Sequence, residues 1–166
     1  MRQTVALVGY MGSGKTSVGR FLAGRLGLEF ADLDQEIEVR AGRSIPEIFA
    51  SSGEEKFREL EHGALRDTVE GPTNRIVACG GGIVVLPENR ALLKRTRTVF
   101  LEEDLGVLFE RTRGPGRPLR GASKEEFERR YRERLPFYRE VAGLTVTVGG
   151  RSRGEVVEEV ERWLAG

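Results

Sequence analysis

The sequence predicts an α/β domain in which a parallel, five-stranded sheet carries helices on both faces. Three observations support this fold class: short β-rich runs alternate with longer amphipathic stretches, several runs are apolar almost throughout, and a glycine-rich loop follows the first run. Apolar runs of this kind are typical of parallel strands buried on both faces. A chain of 166 residues is long enough for one substantial core. We therefore expect one domain over residues 1–166.

The predicted strands and helices follow one another in a regular order. The five strands are expected at residues 4–8, 29–33, 75–79, 97–101 and 144–148. Apolar residues recur every three or four positions over 16–26 and 155–164, which predicts helices there. Ser44 and Glu47 have the spacing of a capping box, so another helix is expected to begin at this point. The helical pattern between the second and third strands exceeds what a crossover needs, which indicates an insertion at about 34–62.

The stretch 111–123 has a different composition from the rest of the chain. It reads RTRGPGRPLRGAS, with three glycines, two prolines, four arginines and no periodicity. Such a segment is either a loose surface loop or a mobile lid. We expect a lid at about residues 112–123.

Composition excludes several classes of protein. Hydrophobic residues make up 39% of the chain, and no apolar run approaches the length of a membrane span. The formal net charge of +1 argues against nucleic acid as a partner. With one cysteine and one histidine, the chain can form neither an internal disulfide nor a Cys/His metal cluster, so any metal must have oxygen ligands. No secretory signal is recognisable, and we expect a cytoplasmic monomer that binds no membrane.

The glycine-rich loop after the first strand carries the strongest signal. Residues 9–16 read GYMGSGKT, which matches G-x-x-x-x-G-K-[ST] between an apolar strand and an amphipathic helix. Glycines let main-chain N–H groups turn towards phosphate oxygens, and the start of the helix adds further donors. The residues predicted to bind the nucleotide here are Gly12, Ser13, Gly14, Lys15, Thr16 and Ser17. Lys15 is expected to reach the β- and γ-phosphates, and the Thr16 hydroxyl to bind Mg²⁺. The alternative is a glycine-rich turn that contains Lys-Thr by chance.

Two carboxylates follow the second strand, in the segment ADLDQEIE. Asp32 and Asp34 are two residues apart and so lie on the same side of an extended backbone. Ligands of such sheets collect at the carboxyl ends of the strands. Asp32 is predicted to help hold Mg²⁺, and Asp34 to orient a substrate hydroxyl. The alternative is that one of the pair only caps the next helix.

Arginines and glycines further along the chain could bind an acceptor. Arg58 is expected on the polar side of its helix, where pairs with Glu54 or Glu61 are the simpler explanation. The consecutive glycines 80–82 suggest that another molecule approaches the backbone, with a bulge as the alternative. Arg117 and Arg134, taken singly, are better explained as solvated arginines.

Together these segments resemble the shikimate kinase family over nearly the whole chain. The matching pieces are GYMGSGKTSVGRFLA, DLDQEIE, IPEIFASSGEEKFRELE, CGGG, RPL and RLPFYREVA. The resemblance implies transfer of the γ-phosphate of ATP to the 3-hydroxyl of shikimate, with Mg²⁺, in aromatic amino-acid biosynthesis. It also implies the nucleoside-monophosphate-kinase type of fold, with strand order 2-3-1-4-5.

The resemblance implies a role for each matched residue. Asp34 would bind the substrate hydroxyls, and Asp32 would lie near Mg²⁺. The substrate carboxylate would be held by Arg58 and Arg134, with Gly80, Gly81 and Gly82 against the substrate. Arg117 would be the lid arginine and would act with Lys15 and Asp34 in catalysis, whereas Arg111 and Arg153 would lie beside the adenine.

Two other functions remain open at this stage. Another small-metabolite kinase of the same fold, such as a gluconate kinase, also phosphorylates a hydroxy acid. A nucleotide-dependent switch or binding module would not transfer phosphate at all. The guanine-reading N/T-K-x-D element of such switches is absent from the sequence.

Overall fold

The computed structural model describes residues 4–113 and 123–166, and its centre is a parallel five-stranded sheet. The strands are β1 (Val5–Val8), β2 (Glu29–Asp32), β3 (Arg75–Ala78), β4 (Arg97–Glu102) and β5 (Leu144–Thr147). Their order is β2-β3-β1-β4-β5, and every neighbouring pair is parallel. The predicted fold class and strand order are confirmed, and each strand lies within a residue of its predicted bounds.

Seven helices cover the sheet in the described part of the chain. They are α1 (Lys15–Leu26), α2 (Leu33–Ala41), α3 (Ile45–Glu70), α4 (Pro87–Lys94), α5 (Leu105–Arg111), α6 (Lys124–Val141) and α7 (Arg153–Ala165). Two apolar clusters show which face each helix covers. One cluster joins α1 and α7 to one face, and the other joins α2 to α6 to the opposite face. None of the helices in 4–113 and 123–166 has both the length and the apolar character needed to cross a bilayer.

The long connection between β2 and β3 consists of α2 and α3. The helix α3 begins with the predicted capping box: Ser44 accepts from the Glu47 backbone N–H, and the Glu47 side chain accepts from the Ser44 N–H. Gly53, with φ of 81°, bends this helix after its second turn. A left-handed φ is accessible to glycine without steric penalty, so the bend falls at a residue that tolerates it. Side chains from the second half of α3 then lie against the glycines that follow β3.

The parallel strands place their carboxyl ends along one edge of the sheet. The glycine-rich loop leaves β1, Asp32 ends β2, and the three glycines follow β3 after Cys79. Parallel sheets bind their ligands at this edge. The fold thus brings together segments that are far apart in the sequence.

Candidate active site

The loop between β1 and α1 has the geometry of a phosphate cradle. Gly12 and Gly14 have φ of 87° and 91°, values that residues with a Cβ rarely adopt. Gly14 is the N-cap of α1 and makes no side-chain cap hydrogen bond. The first N–H groups of a helix lack partners within the helix and form its positive end. The loop therefore presents main-chain donors at the edge of the sheet where β1 ends.

Lys15 lies back over this loop. Its Nζ donates to the Gly9 carbonyl at 2.8 Å and to the Tyr10 carbonyl at 3.0 Å. Gly9 is packed so closely that a Cβ there would lie 2.8 Å from both the Leu101 carbonyl oxygen and the Ser13 hydroxyl. The ammonium group is thus fixed beside the loop by short main-chain contacts.

Asp32 joins the loop to α2. Its Oδ1 accepts from the backbone N–H groups of Asp34 and Gln35, at 3.0 and 3.3 Å, so Asp32 is the N-cap of α2. Its Oδ2 accepts from the Thr16 hydroxyl at 3.3 Å. The two residues predicted to hold the metal ion are therefore in contact, and of the two aspartates it is Asp32 that caps the helix.

The position of Asp34 in the fold differs from the predicted one. The strand β2 ends at Asp32, and Asp34 is in the first turn of α2 rather than two residues further along an extended chain. The expectation of a shared strand face was wrong because the N-cap turns the chain at Asp32. Burial raises the pKa of Asp34, and the nearby Asp32 carboxylate raises it further. Both aspartates nevertheless line the same cleft as the phosphate loop.

The three glycines after β3 make room for charged side chains of the protein itself. None of them has a left-handed φ. A Cβ on Gly80 would lie 2.9 Å from the Asp34 Oδ1, and one on Gly82 would lie 2.6 Å from the Arg58 Cζ. A Cβ on Gly81 would approach the backbone N of Met11 in the phosphate loop to 3.4 Å. The turn is thus in contact with both the loop and the charged groups of α2 and α3.

Arg58 is buried, although its helical position predicted the polar side of α3. Its residue surface is only 5% exposed. Arg58 Nη1 pairs with the buried carboxylate of Glu61 at 2.9 Å, and Nη2 with the exposed Glu54 at 3.2 Å. The helix pairs considered from the sequence are therefore present, but they hold the guanidinium against the glycine turn.

Glu61 is a site residue for which the sequence analysis proposed no role beyond a helix pair. It is 1% exposed, and its Oε2 lies 3.2 Å from the position of a Cβ on Gly80. Burial raises the pKa of Glu61 to about 7, although the paired Arg58 lowers it. The only sequence signal was its spacing of three residues from Arg58, which every exposed helix pair shares.

Arg134 approaches the same turn from α6. It is 7% exposed, and its Nη1 has no hydrogen-bond partner among the described residues. This atom lies 3.9 Å from the position of a Cβ on Gly81. Burial lowers the pKa of Arg134, and the positive charge of Arg58 also lowers it. A buried guanidinium with an unsatisfied N–H is costly unless an anion binds it.

Tyr138, one helical turn after Arg134, fastens α6 to the glycine turn. Its hydroxyl donates to the Gly81 carbonyl, and its ring stacks on Phe100 with centroids 5.1 Å apart. The side chain is fully buried. This contact fixes the position of Arg134 relative to the turn, and no pattern in the sequence predicted it.

Arginines also line the opposite rim. Arg111 Nη1 donates to the Gly12 carbonyl at 3.1 Å, and Arg153 Nη1 donates to the Ser17 hydroxyl at 3.1 Å. The Arg153 guanidinium lies 4.8 Å from the centre of the Phe21 ring. Both residues therefore reach the phosphate loop or the helix that follows it. Arg117, predicted as the lid arginine, lies outside the described residues.

A cleft of about 440 Å³ joins these parts. Its walls contain most of the phosphate loop, both aspartates, the first two glycines of the turn and Arg111. Arg58, Gly82 and Arg134 do not line this volume but lie behind or beside the turn. A second cavity of about 450 Å³, at the outer edge of β2, shares only Asp32 with the predicted site residues.

Comparison with known proteins decides the family. The family model of shikimate kinase matches residues 11–165. The chain belongs to the shikimate kinase family. The shikimate kinase of Aromatoleum aromaticum is 46% identical over 162 residues, which cover 95% of this chain and 92% of that protein.

Solved structures of the family have the same fold. A shikimate kinase from Acinetobacter baumannii, in complex with shikimate, superposes with a TM-score of 0.93 at 34% identity and covers 99% of this chain and 94% of that one. The shikimate kinase of Aquifex aeolicus superposes with a TM-score of 0.84 at 35% identity, covering 100% of this chain and 97% of that one. The sheet order and its helices are therefore those of this kinase family.

Proposed function

We propose that this protein transfers the γ-phosphate of ATP to the 3-hydroxyl of shikimate, giving shikimate 3-phosphate and ADP. One arrangement carries the proposal: two buried arginines from different helices meet at a glycine turn that abuts the phosphate loop. An anionic acceptor bound to the arginines would lie beside the nucleotide. Membership of the family and the shikimate-bound relative support this choice of acceptor.

The phosphate loop and Lys15 would hold the triphosphate. Gly12 to Ser17 offer main-chain and hydroxyl donors, and the start of α1 adds positive potential. Lys15 would exchange its contacts with the loop carbonyls for contacts with phosphate oxygens. Phosphoryl transfer passes through a loose transition state, so alignment and charge neutralisation contribute more than a strong base does.

Arg58 and Arg134 would bind the carboxylate of the acceptor. Each arginine about 4 Å from a carboxylate gains roughly 4 kcal/mol at an effective dielectric constant near 20, before desolvation. The desolvation of both guanidinium groups has already occurred on folding, since both are buried. A planar carboxylate can accept from both groups and would satisfy the Arg134 N–H that lacks a partner.

Asp34 would accept a hydrogen bond from the attacking hydroxyl and direct its oxygen towards the γ-phosphate. Its side chain lies beside Gly80 and lines the same cleft as the phosphate loop. The raised pKa keeps the carboxylate a better proton acceptor than an exposed aspartate. Gly80 to Gly82 would form the wall of the acceptor site.

Thr16 and Asp32 fit the requirements of a Mg²⁺ site. Their oxygens are hydrogen-bonded at 3.3 Å beside the loop, and hydroxyl and carboxylate oxygens are the donors that Mg²⁺ prefers. In the described parts of the chain, no group of three or more His, Cys, Asp and Glu is placed to hold a metal ion. Mg²⁺ commonly binds one or two protein oxygens together with substrate phosphates and water. When bound, Mg²⁺ neutralises charge on the phosphates.

The remaining assignments belong to the rim and the lid. Arg111 and Arg153 would lie on the adenine side, and Arg117 would approach the transferring group when a lid at about 112–123 closes. Closure would exclude water, which competes as a phosphoryl acceptor. We also propose a monomer of one domain with the acceptor-binding insertion at about 34–62, which sedimentation analysis would test.

A coupled assay of ADP release with ATP and Mg²⁺ tests the proposed function. Shikimate should support rapid turnover, whereas quinate, gluconate and nucleoside monophosphates should support little. Preference for gluconate would indicate a kinase for a different hydroxy acid. Nucleotide binding without acceptor-dependent ADP release would indicate a binding module instead.

A further inference from the structure

Glu103 is a buried carboxylate that the reaction described above does not use. It follows β4 directly, and its side chain is only 4% exposed. Its Oε2 lies 3.5 Å from the Nη1 of Arg111, which is its one ion pair within residues 4–113 and 123–166. Burying a carboxylate is unfavourable unless it is paired. Its location therefore needs an explanation.

Capping of the next helix does not provide that explanation. Asp104 is the N-cap of α5, and its Oδ1 accepts from the backbone N–H groups of Gly106 and Val107 at 2.9 and 3.2 Å. Within the described ranges, the one hydrogen bond that Glu103 Oε1 accepts comes from the N–H of Asp104 itself, at 2.8 Å. The other oxygen of Glu103 is directed to the far end of α5, where Arg111 is the last helical residue.

Arg111 carries the contact on to the phosphate loop. The same Nη1 that pairs with Glu103 donates to the Gly12 carbonyl at 3.1 Å. Half of the Arg111 side chain is exposed, so without a partner it would sample many rotamers. The ion pair joins this guanidinium to a buried carboxylate, and Arg111 lies on the wall of the cleft.

Packing around the pair leaves little freedom on either side. A Cβ on Gly12 would lie 3.1 Å from the Thr112 methyl carbon and 3.3 Å from the Leu108 carbonyl oxygen, so the end of α5 touches the loop. A Cβ on Gly149, in the loop after β5, would lie 2.9 Å from Glu103 Oε1. The carboxylate thus occupies space that only a glycine leaves available.

We propose that Glu103 is a positioning residue for nucleotide binding. It holds the Arg111 guanidinium across the phosphate loop, so that a nucleoside di- or triphosphate meets a cation already in place. Its effect is on the affinity for the nucleotide and not on the affinity for the acid, because neither Arg58 nor Arg134 contacts it. This inference rests on the proposed function only in requiring that the loop binds a nucleotide.

The test is isothermal titration of ADP into the full chain and its Glu103→Gln variant. Glutamine keeps an oxygen that accepts from the Asp104 N–H but removes the charge that pairs with Arg111. The Kd for ADP should rise about two- to fivefold, as expected for a partly exposed ion pair. In the coupled assay the KM for ATP should rise by a similar factor, with the KM for shikimate and the Tm unchanged.

Three further variants keep the test decisive. Glu102→Gln removes a neighbouring ion pair, the one with Arg139, which does not touch the loop, and should leave the Kd for ADP unchanged. Gly149→Ala displaces the Glu103 carboxylate without removing it and should weaken ADP binding as Glu103→Gln does. In the Arg111→Gln background, Glu103→Gln should cause no further loss.

The outcomes separate this inference from the proposed function. If the unchanged protein does not bind ADP, both are overturned. If it binds ADP and Glu103→Gln binds equally well, or if Glu102→Gln weakens binding as much, only the role of Glu103 is overturned. If Glu103→Gln fails to fold, Gly149→Ala decides the question. A folded Gly149→Ala protein that binds ADP normally would also overturn the role of Glu103.

Discussion

The two sides of the cleft are built in opposite ways. The phosphate side comes from one continuous segment, Gly9 to Thr16, whose donors are mostly main-chain N–H groups and whose Lys15 rests on loop carbonyls. The acid side comes from α2, α3, α6 and the turn after β3, and its groups are charged side chains. One side is local in sequence, and the other is assembled by the fold.

This difference has an energetic counterpart. Burial raises the pKa values of Asp34 and Glu61 and lowers that of Arg134, whose Nη1 has no partner among the described residues. The acid side therefore holds charges in an unfavourable environment, and a bound acid would supply a partner for the Arg134 guanidinium. Loss of Lys15 from the phosphate loop should remove activity, whereas changes on the acid side should separate affinity, rate and stability.

The largest effect is expected on the phosphate side. Lys15→Ala should reduce kcat by at least about a thousandfold, because a preorganised cation beside the transferring phosphate is lost. The coupled ADP-release assay measures it. Lys56→Ala, which removes an exposed lysine paired with Glu59, is the matched control and should be fully active. Normal turnover of Lys15→Ala would refute the phosphate-cradle assignment.

The next effect separates rate from folding. Asp34→Asn should lower kcat about a hundredfold, since the amide cannot accept the hydroxyl proton. Its free energy of unfolding should be preserved, because the helix is capped by Asp32 and not by Asp34. Chemical denaturation beside the kinetic assay gives both values. An unfolded Asp34→Asn protein would make this residue a structural one.

A third change should act on acid affinity alone. Arg58→Ala should raise the KM for shikimate by roughly ten- to a hundredfold through loss of a charge-assisted contact, with the KM for ATP nearly unchanged. Because it leaves Glu61 buried without its partner, Arg58→Ala/Glu61→Gln should be measured beside it. Arg66→Ala, on the exposed side of the same helix, is the control. An unchanged KM for shikimate would show that Arg58 does not bind the acid and serves only in its ion pairs with Glu54 and Glu61.

The smallest effect concerns stability and pH. Burial raises the pKa of Glu61 from about 4.5 to about 7, so in this interval the native state binds more protons than the unfolded chain. The stability that this provides is present below pH 4.5 and is lost as the pH rises to about 7. Glu61→Gln should remove roughly 1–3 kcal/mol of this pH dependence of the free energy of unfolding.

Urea unfolding at pH 4.5, 6 and 7.5 measures how the free energy of unfolding changes with pH. Glu59→Gln, an exposed position on the same helix, is the control and should keep the pH dependence of the unchanged protein. If the free energy of unfolding changed with pH equally in Glu61→Gln and in the unchanged protein, the raised pKa of Glu61 would be contradicted.

The sheet and the phosphate loop could be predicted because their signals are local. An apolar run, a glycine motif and an amphipathic helix follow one another in the first part of the chain, and the structure has all three in place. The strand bounds were predicted correctly for the same reason, because each apolar run is bordered by turn residues or by charged residues.

The acid side could be predicted only in part. The periodicity of α3 predicts the polar side of the helix for Arg58, and helical position alone does not show that the glycine turn after β3 packs against this side chain. The two-residue spacing predicts Asp34 on the same strand face as Asp32, but Asp32 caps α2 and turns the chain there. Glu61 and Tyr138 act through partners in three dimensions, and a single sequence holds no signal for those contacts. The same is true of Glu103 on the phosphate side.

The buried guanidinium of Arg134 has a practical consequence for measurements on this protein. A site that binds a carboxylate through buried guanidinium groups should also bind other oxyanions, so sulfate, citrate or inorganic phosphate in a buffer should compete with the acid. Apparent acid affinities measured in such salts will be too weak, and melting temperatures too high. Zwitterionic buffers with chloride as the counterion should give the most faithful values for both.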